Sequence, residues 1–208
     1  MKLTSQNFTD GAPIPGEFAF AVADDKNHLA LSNNKNPHLA WDDVPAGTKS
    51  FVLLCHDPDA PCSTDDVNQE GRQVAASLPR VNFTHWVLID IPADARAIAA
   101  GSHSAQITAR GKPAQAPGKG MRHGINDYTS WFSGDEQMNG DYYGYDGPCP
   151  PWNDELAHRY IFTLYALDTA RLNVEGKIYR DDVLAAIDGH VLAQASLIGS
   201  YSLNPAVR

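Results

Sequence analysis

The chain has 208 residues, which is long enough for one substantial hydrophobic core and does not require two domains. Hydrophobic residues make up 43% and charged residues 20% of it, a balance that excludes a disordered chain. The formal net charge of -9 argues against non-specific attraction to nucleic acid or to an anionic bilayer surface. We therefore predict a single domain that spans residues 1–208.

The cysteines and the start of the chain indicate a cellular compartment. Cys55, Cys62 and Cys149 form a small, odd-numbered set, so a disulfide framework of the secreted type is not expected. The first seven residues lack the apolar segment of a signal peptide, and no run approaches the roughly 18 apolar residues of a membrane span. We predict a soluble, cytoplasmic protein without a membrane span.

Short strands dominate the prediction for the first part of the chain. Residues 17–23 alternate between apolar and other side chains, residues 39–41 follow a turn cluster rich in Asn, and residues 50–55 form an apolar run. Glycine, proline and asparagine separate these segments, and no helical period appears before residue 90. This pattern is typical of a β-sandwich or a β-barrel.

Some of the predicted strands are buried on both faces. Three segments are nearly continuous apolar runs, at residues 51–54, 87–89 and 161–164. Between the strands lie loops longer than ordinary connections, at residues 65–82, 102–125 and 129–150. Such loops are candidates for the walls of a binding site or for interface elements.

The end of the chain has a different period. Apolar residues recur at three- and four-residue spacing from Val183 to Ile198, and Asp181 and Asp182 supply the carboxylates that favour a helix N-terminus. This spacing predicts a C-terminal amphipathic helix. Gly189 inside it costs about 1 kcal/mol relative to Ala, so we expect a close packing contact there.

The segment from Ala95 to Asn126 is locally basic. It contains no Asp or Glu, and five Lys and Arg residues fall within it: Arg96, Arg110, Lys112, Lys119 and Arg122. One interpretation is a solvated loop that balances an acidic surface. The other is attraction of an anionic ligand toward a nearby cleft.

Titratable groups sit at three places where an apolar segment meets a loop. Asp57 and Asp59 follow the run at residues 50–55, and His85 and His158 each open an apolar run. By strand alternation, His158 and Tyr160 share one side while the residue between them points away, and His85 shares a side with Val87 and Ile89. If the three ends converge, two imidazoles, a carboxylate and a phenol suit a small oxyanion.

The Asp57 carboxylate constrains which anion such a pocket accepts. Two like unit charges about 4 Å apart at an effective dielectric of 20 repel by roughly 4 kcal/mol. A bare phosphate beside Asp57 therefore needs a shared proton or an intervening cation, which a zwitterionic head group such as phosphoethanolamine supplies. The alternative is local, because Asp57 and Asp59 can also cap a turn through Asx hydrogen bonds.

A proline-rich segment forms a second candidate for the site. Residues 143–152 contain three prolines, among them Pro148, and two glycines. These residues fix a loop whose Tyr and Trp side chains can line the mouth of a pocket. The alternative is a rigid surface turn.

Four motifs together resemble the phosphatidylethanolamine-binding protein family, also called the Raf kinase inhibitor protein family, and in particular its bacterial branch. They occur in the family's order and are Asp57-Pro58-Asp59-Ala60-Pro61, His85-Trp86, Gly147-Pro148-Cys149-Pro150-Pro151 and His158-Arg159-Tyr160.

The resemblance implies an antiparallel, Greek-key β-sandwich with peripheral helices. It also implies an anion pocket that contains Asp57, His85 and His158, with walls shaped by Asp59, Pro61, Pro148 and Tyr160, and it implies a homodimer. Two segments, near residues 65–82 and 129–141, are longer than in compact members of the family. They could roof the pocket or form a partner surface.

From these observations we predict a non-catalytic protein that binds phosphate or a phosphorylated head group and regulates a protein partner, with no cofactor and no metal. A second hypothesis is a hydrolase, metal-assisted or not, that uses Asp57, His85 and His158 as ligands or as general acid and base. A third is an interaction module with a vestigial pocket.

Overall fold

The structure, a computed structural model, describes residues 1–118 and 120–207. In this part of the chain, α1 spans Tyr128–Trp131, α2 spans Arg180–Ala186, and a 3-10 turn spans Gly16–Phe18. The strands are β1 (Lys2–Thr4), β2 (Ala21–Asp24), β3 (His28–Leu31), β4 (Leu39–Asp42), β5 (Ser50–Pro61), β6 (Arg80–Pro92), β7 (Ala97–Ile98), β8 (Arg122–His123), β9 (His158–Leu167) and β10 (Val191–Tyr201).

The strands form antiparallel sheets. The largest has the order β10-β9-β5-β6-β8, a second has the order β1-β4-β7, and β2 pairs with β3. Because β5 runs antiparallel to both of its neighbours, the end of β5 lies beside the start of β6 and the start of β9. The predicted mainly β, antiparallel fold with peripheral helices is confirmed.

The central strands are buried on both faces, as their continuous apolar runs predicted. One face of the large sheet packs against β1, β4 and β7 through Phe51, Leu53 and Trp41. The other face contributes Val52 and packs against Val183 of α2. Burial on both faces explains why these runs lack the polar positions of a half-exposed strand.

The C-terminal helix prediction is correct only for its first two turns. Helix α2 ends at Ala186, and residues from Val191 onward form β10, which pairs with β9 along its whole length. Gly189 lies in the connection with a backbone φ of +76°, and no atom would approach an added Cβ within 4 Å. The predicted close contact at Gly189 is therefore wrong; the glycine supplies a left-handed turn between helix and strand.

Two strands extend beyond their apolar runs. Asp57 to Pro61 was predicted as a turn, but the strand β5 continues through it and pairs Pro61 with Arg80. Strand β6 likewise begins at Arg80, so His85 lies inside the strand rather than at its start. The extensions carry polar side chains beyond the core, where two strands can hold them rigidly.

Two cationic side chains of the basic segment form ion pairs with buried carboxylates. Lys112 pairs with the buried Asp146 at 2.9 Å, and Arg122 pairs with the buried Asp90 at 2.6 Å. Lys119, which was counted in this segment, lies outside the described residues. These two cations thus compensate buried carboxylates, a role that neither interpretation of the sequence included.

Candidate functional site

A cavity of about 330 Å³ opens where β5 ends and where β6 and β9 begin. Five of the seven predicted site residues line it, namely Asp57, Pro61, His85, His158 and Tyr160. Three of the elements that approach this point had been predicted as separate strand ends. The carboxylate, the two imidazoles and the phenol therefore converge in the structure, which is the condition that the site hypothesis required.

His85 reaches the cavity because β6 carries a bulge at this position. Cys55 of β5 pairs with Trp86, and the next residue of β5 pairs with Thr84. His85 is thus the extra residue between the two pairs, and a bulge of this kind turns a side chain onto the other face of its strand. The ring of His85 meets the ring of Tyr160 edge-on, with centroids 5.0 Å apart.

The bulge overturns one expectation from strand alternation. His85 was predicted to share a face with Val87 and Ile89, but those two residues pack in the core beneath α2. His85 instead lines the cavity with Tyr160. The alternation in β9 is as predicted, since His158 and Tyr160 are buried while Arg159 is exposed. A regular strand thus follows the rule, and a bulged strand does not.

His158 is held between two carboxylates. Its Nδ1–H donates to Asp57 Oδ2 at 2.6 Å, and its Nε2–H donates to Asp154 Oδ2 at 3.1 Å. Burial lowers the pKa of His158, but the hydrogen bonds to Asp154 and Asp57 outweigh that effect and raise the pKa to about 9. His158 is therefore an imidazolium at neutral pH, and both of its N–H groups are already used.

Asp154 and Arg80 complete this buried chain of charges, and neither was predicted from the sequence. Arg80 binds Asp154 in a bidentate manner at 2.6 and 3.0 Å, and it also donates to the Asp59 carbonyl at 2.8 Å. With Asp57 and His158, the chain holds two positive and two negative groups and has no net charge. Asp154 lies four residues before His158, a spacing that could have drawn attention to it.

His85 lies in a different electrostatic state from His158. Its Nδ1–H donates to the Asp146 carbonyl at 2.7 Å, which leaves Nε2 without a protein partner among the described residues. Burial lowers the pKa of His85, although Asp57 opposes the shift. At neutral pH this imidazole is uncharged. Its Nε2 is a hydrogen-bond acceptor unless a bound anion favours its protonation.

A buried polar network holds the loop that carries the His85 partner. The Asp146 carboxylate accepts hydrogen bonds from Asn34 at 2.7 Å and from Asn126 at 2.8 Å, and it pairs with Lys112. Asp146 is fully buried, and its backbone N–H donates to the His85 carbonyl at 3.0 Å. These residues come from distant parts of the chain, so no local pattern in the sequence connects them.

Asp57 and Asp59 combine the local role and the site role that the sequence left open. Asp57 Oδ1 accepts the backbone N–H of Asp59 at 2.7 Å, as an Asx turn does, while Oδ2 binds His158. Asp59 does not line the cavity. Its carboxylate binds Arg159 at 2.7 and 2.8 Å and stiffens the strand junction from outside. The structure thus places Asp59 behind the site.

The proline-rich loop contributes backbone and apolar wall rather than the predicted aromatic mouth. The Pro148 carbonyl accepts the N–H of Phe20 at 2.9 Å, and Pro148 itself does not line the cavity, whereas Pro150 and Pro151 do. Tyr145 is buried in the main core. Two aromatic residues of the loop, Tyr143 and Trp152, remain partly exposed, and neither lines this cavity. Trp152 stacks on His28 with centroids 3.8 Å apart.

Two segments that the sequence marked as long form walls of the cavity. The connection from β5 to β6 contributes Thr64, Val67 and Asn68, and the second segment contributes Trp131 and Phe132. Asn153 ties the first of these segments down, since its side-chain amide donates to carbonyls at positions 66 and 72 at 2.8 and 3.0 Å. Both segments thus contribute to the lining of the cavity, in agreement with a part in enclosing the pocket.

The comparison with known families decides which family the chain belongs to. The sequence profile of the family described as phosphatidylethanolamine-binding protein matches residues 4–202. The chain belongs to the phosphatidylethanolamine-binding protein family. The family resemblance inferred from the four motifs is therefore confirmed.

Relatives of the phosphatidylethanolamine-binding protein family match over nearly the whole chain. The UPF0098 protein YbhB of Escherichia coli is 34% identical over 203 residues, covering 97% of this chain and 100% of that protein. A UPF0098 protein of Aquifex aeolicus is 33% identical over 201 residues, covering 97% of this chain and 88% of its own.

Solved structures of the same family share the fold. CT736 of Chlamydia trachomatis, described as a phosphatidylethanolamine-binding protein homologue, superposes with a TM-score of 0.63 at 30% identity, covering 97% of this chain and 96% of its own. YbcL of Escherichia coli superposes with a TM-score of 0.68 at 23% identity, covering 97% of each chain, and shows the common fold.

The chemistry available in the cavity is that of hydrogen bonding and proton exchange. Burial raises the pKa of the Cys149 thiol to about 12, so this cavity-lining cysteine is protonated at neutral pH. In the described ranges, no three His, Cys, Asp or Glu side chains form a group that could hold a metal ion.

No helix in the described part of the chain is long and apolar enough to cross a membrane.

Proposed function

We propose that the cavity binds a small phosphate-bearing molecule, a phosphorylated head group or phosphate itself, without catalysing a reaction on it. The observation that carries the proposal is the presence of Asp57, His85 and Tyr160 together in the lining of one cavity, each with a polar group not fully used by the protein. Among the described residues, no Lys or Arg lines the cavity. The charge of an incoming anion must therefore be met by protonation of the site or by a cation of the ligand itself.

His85 and Tyr160 are the donors of the proposed anion site. As a phosphate approaches, the favourable Coulomb interaction raises the proton affinity of His85, and Nε2–H then donates to a phosphate oxygen. Burial raises the pKa of Tyr160 well above its usual range, so the phenol stays protonated and donates as well. Binding of a phosphate is thus coupled to proton uptake by His85.

Asp57 favours a ligand that carries its own cation. One oxygen of Asp57 already accepts from Asp59 and the other from His158, but a carboxylate has further lone pairs for a ligand donor. The ammonium of a head group such as phosphoethanolamine could occupy that position. In this arrangement His158 does not contact the anion; it positions Asp57.

Calorimetric titration with phosphate and O-phosphoethanolamine, in wild type and variants, tests this proposal. We expect the zwitterion to bind more tightly, and His85→Ala to weaken both ligands by about 10-fold or more, because a charge-assisted hydrogen bond contributes roughly 1.5–3 kcal/mol. His190→Ala serves as the control, since His190 is an exposed histidine that pairs with Asp168 and does not line the cavity. Saturable binding that is unchanged in His85→Ala would count against the proposal.

The hydrolase hypothesis requires a separate test. Asp57 and His158 lie at hydrogen-bond distance like a catalytic pair, but the second nitrogen of His158 is bound to Asp154 and is not free to accept a proton from water. A panel of phosphate esters assayed with purified protein and with His85→Ala distinguishes binding from turnover. Turnover that disappears in the variant would favour the hydrolase.

We further propose a cytoplasmic homodimer that regulates a protein partner. The support for this step is the family resemblance, the acidic net charge and the few, unpaired cysteines. Light scattering coupled to gel filtration tests the dimer directly. A single species of the monomer mass of 22.6 kDa across the micromolar range would contradict it.

A further inference from the structure

The outer part of the cavity is apolar, in contrast to its base. Among the described residues that line it, Asp57 and His158 are the two with a formal charge at neutral pH, and both are buried, at the base. The remaining walls consist largely of aliphatic and aromatic side chains from β3, β6, α1 and the proline-rich loop. A ligand bound at the base therefore extends into apolar surroundings.

One wall consists of aromatic rings held in a fixed arrangement. Tyr128 stacks on Phe20 with centroids 4.8 Å apart and on Phe132 at 5.5 Å, and Phe83 meets the ring of Tyr128 edge-on. The Tyr128 hydroxyl donates to the Gly147 carbonyl at 2.8 Å, which fixes the stack relative to the proline-rich loop. A preformed wall of this kind binds a flat group without first losing side-chain entropy.

The rim of the cavity exposes large apolar side chains. Trp131 has 47% of its surface exposed, Val81 has 48% and Leu31 has 66%. Among the described residues, no other ring stacks on the Trp131 indole. Exposed tryptophan at the mouth of a cavity has a free face that a ligand can cover.

We infer that the cavity takes a phosphate monoester of a small aromatic alcohol, with the phosphate at the base and the ring against Trp131. The inference rests on the function proposed above and names the class of ligand for that site. A volume of about 330 Å³ lies at the small end of the range for small-molecule sites, about 300–1,000 Å³. The aromatic wall and the free indole face favour a flat ring over an aliphatic chain of similar size.

Three phosphate esters of graded chemistry test the inference by calorimetry: methyl, cyclohexyl and phenyl phosphate. Burial of the ring predicts that phenyl phosphate binds about 10-fold or more tightly than methyl phosphate. Ring geometry predicts that it also binds about 3-fold more tightly than cyclohexyl phosphate, which has the same number of carbons and no π system.

Variants of the rim tryptophan assign the effect to this position. We expect Trp131→Ala to lower the affinity for phenyl phosphate by about 5-fold while leaving methyl phosphate unchanged, and Trp131→Phe to retain most of the preference. Tyr179→Ala is the control, because Tyr179 is an aromatic residue of nearly equal exposure, 46%, that does not line the cavity. It should change none of the three affinities.

The outcomes separate the failure of this inference from the failure of the proposed function. Equal affinities for methyl and phenyl phosphate, or equal losses for both in Trp131→Ala, would overturn the aromatic ligand class while leaving the anion site intact. Equal affinities for cyclohexyl and phenyl phosphate would overturn the preference for an aromatic ring. If O-phosphoethanolamine binds and none of the three esters does, this inference fails and the proposed function stands. If neither O-phosphoethanolamine nor phosphate nor any ester binds, the proposed function fails and this inference fails with it.

Discussion

Two histidines that looked alike in the sequence have opposite states in the structure. His158 carries a charge because two carboxylates surround it, and it uses both N–H groups to hold them. His85 is uncharged because burial lowers its pKa, and with Nδ1 bound to the Asp146 carbonyl it keeps Nε2 for the cavity. The difference arises from neighbours that the chain brings from elsewhere, so it is a property of the fold rather than of the motif.

The charge on His158 predicts a characteristic dependence of stability on pH. Its pKa rises from 6.5 to about 9 on folding, which corresponds to on the order of 3 kcal/mol. Since the folded-state pKa is the higher one, this stabilisation is complete below about pH 6.5 and is lost as the pH rises through about 9. The difference in the free energy of unfolding between wild type and His158→Gln should therefore shrink as the pH rises.

Urea unfolding of both proteins between pH 6 and pH 10 measures this difference. The exposed His190→Gln variant controls for the general effect of removing a histidine. A gap between wild type and His158→Gln that stays constant over this range would contradict the charged state of His158.

At the scale of elements, the β6 strand is anchored to the loop before β9 by the Arg80–Asp154 pair. Arg80 is 11% exposed in its side chain and Asp154 is 1% exposed, so the pair is largely removed from water. Removing one member of such a pair leaves an uncompensated buried charge, which is more costly than the pair itself is favourable.

We expect Arg80→Met to destabilise the protein by about 3–5 kcal/mol in urea unfolding, because Asp154 loses its bidentate partner. Arg72→Met is the matched control. Arg72 pairs with Asp66 at the same distance of 2.6 Å, but both side chains are about half exposed, so the loss should be below about 1 kcal/mol. Similar effects of the two substitutions would show that burial does not govern this pair.

The boundary between α2 and β10 shows why the C-terminal prediction failed. Val191, Ala195 and Ile198 fit a helical period, but residues 193, 195, 197 and 199 also alternate as a strand requires. Pairing with β9 decides between the two patterns, and Gly189 makes the change of direction possible. The spacing of apolar residues within one segment does not show that a neighbouring strand, here β9, will pair with it.

Gly189→Ala distinguishes the two structures of this region. Within a helix, alanine would stabilise the protein by about 1 kcal/mol relative to glycine. At the observed φ of +76° we expect alanine instead to destabilise it by about 1–2 kcal/mol, because a Cβ is strained in the left-handed region. Urea unfolding gives the sign, and a more stable variant would contradict the observed connection.

At the scale of the whole molecule, continuous apolar runs predicted the central strands β5, β6 and β9, and the family resemblance predicted their antiparallel class. Their convergence at the end of β5 was a condition of the site hypothesis, and the structure meets it. Continuous apolar runs mark strands buried on both faces, and antiparallel neighbours bring the end of one strand to the start of the next. The bulge at His85 and the partners Asp154, Arg80 and Asp146 could not be predicted. They depend on register and on contacts between segments far apart in the chain.

In the proposed site His85 is the group that meets the phosphate, and NMR of the histidine rings during titration with O-phosphoethanolamine tests this directly. At pH 7.5 we predict that the His85 resonances move from the neutral to the imidazolium form as the ligand saturates. The His158 resonances, already those of an imidazolium, should keep their protonation state. Saturable binding that leaves the His85 ring neutral and unshifted would contradict the proposed anion site.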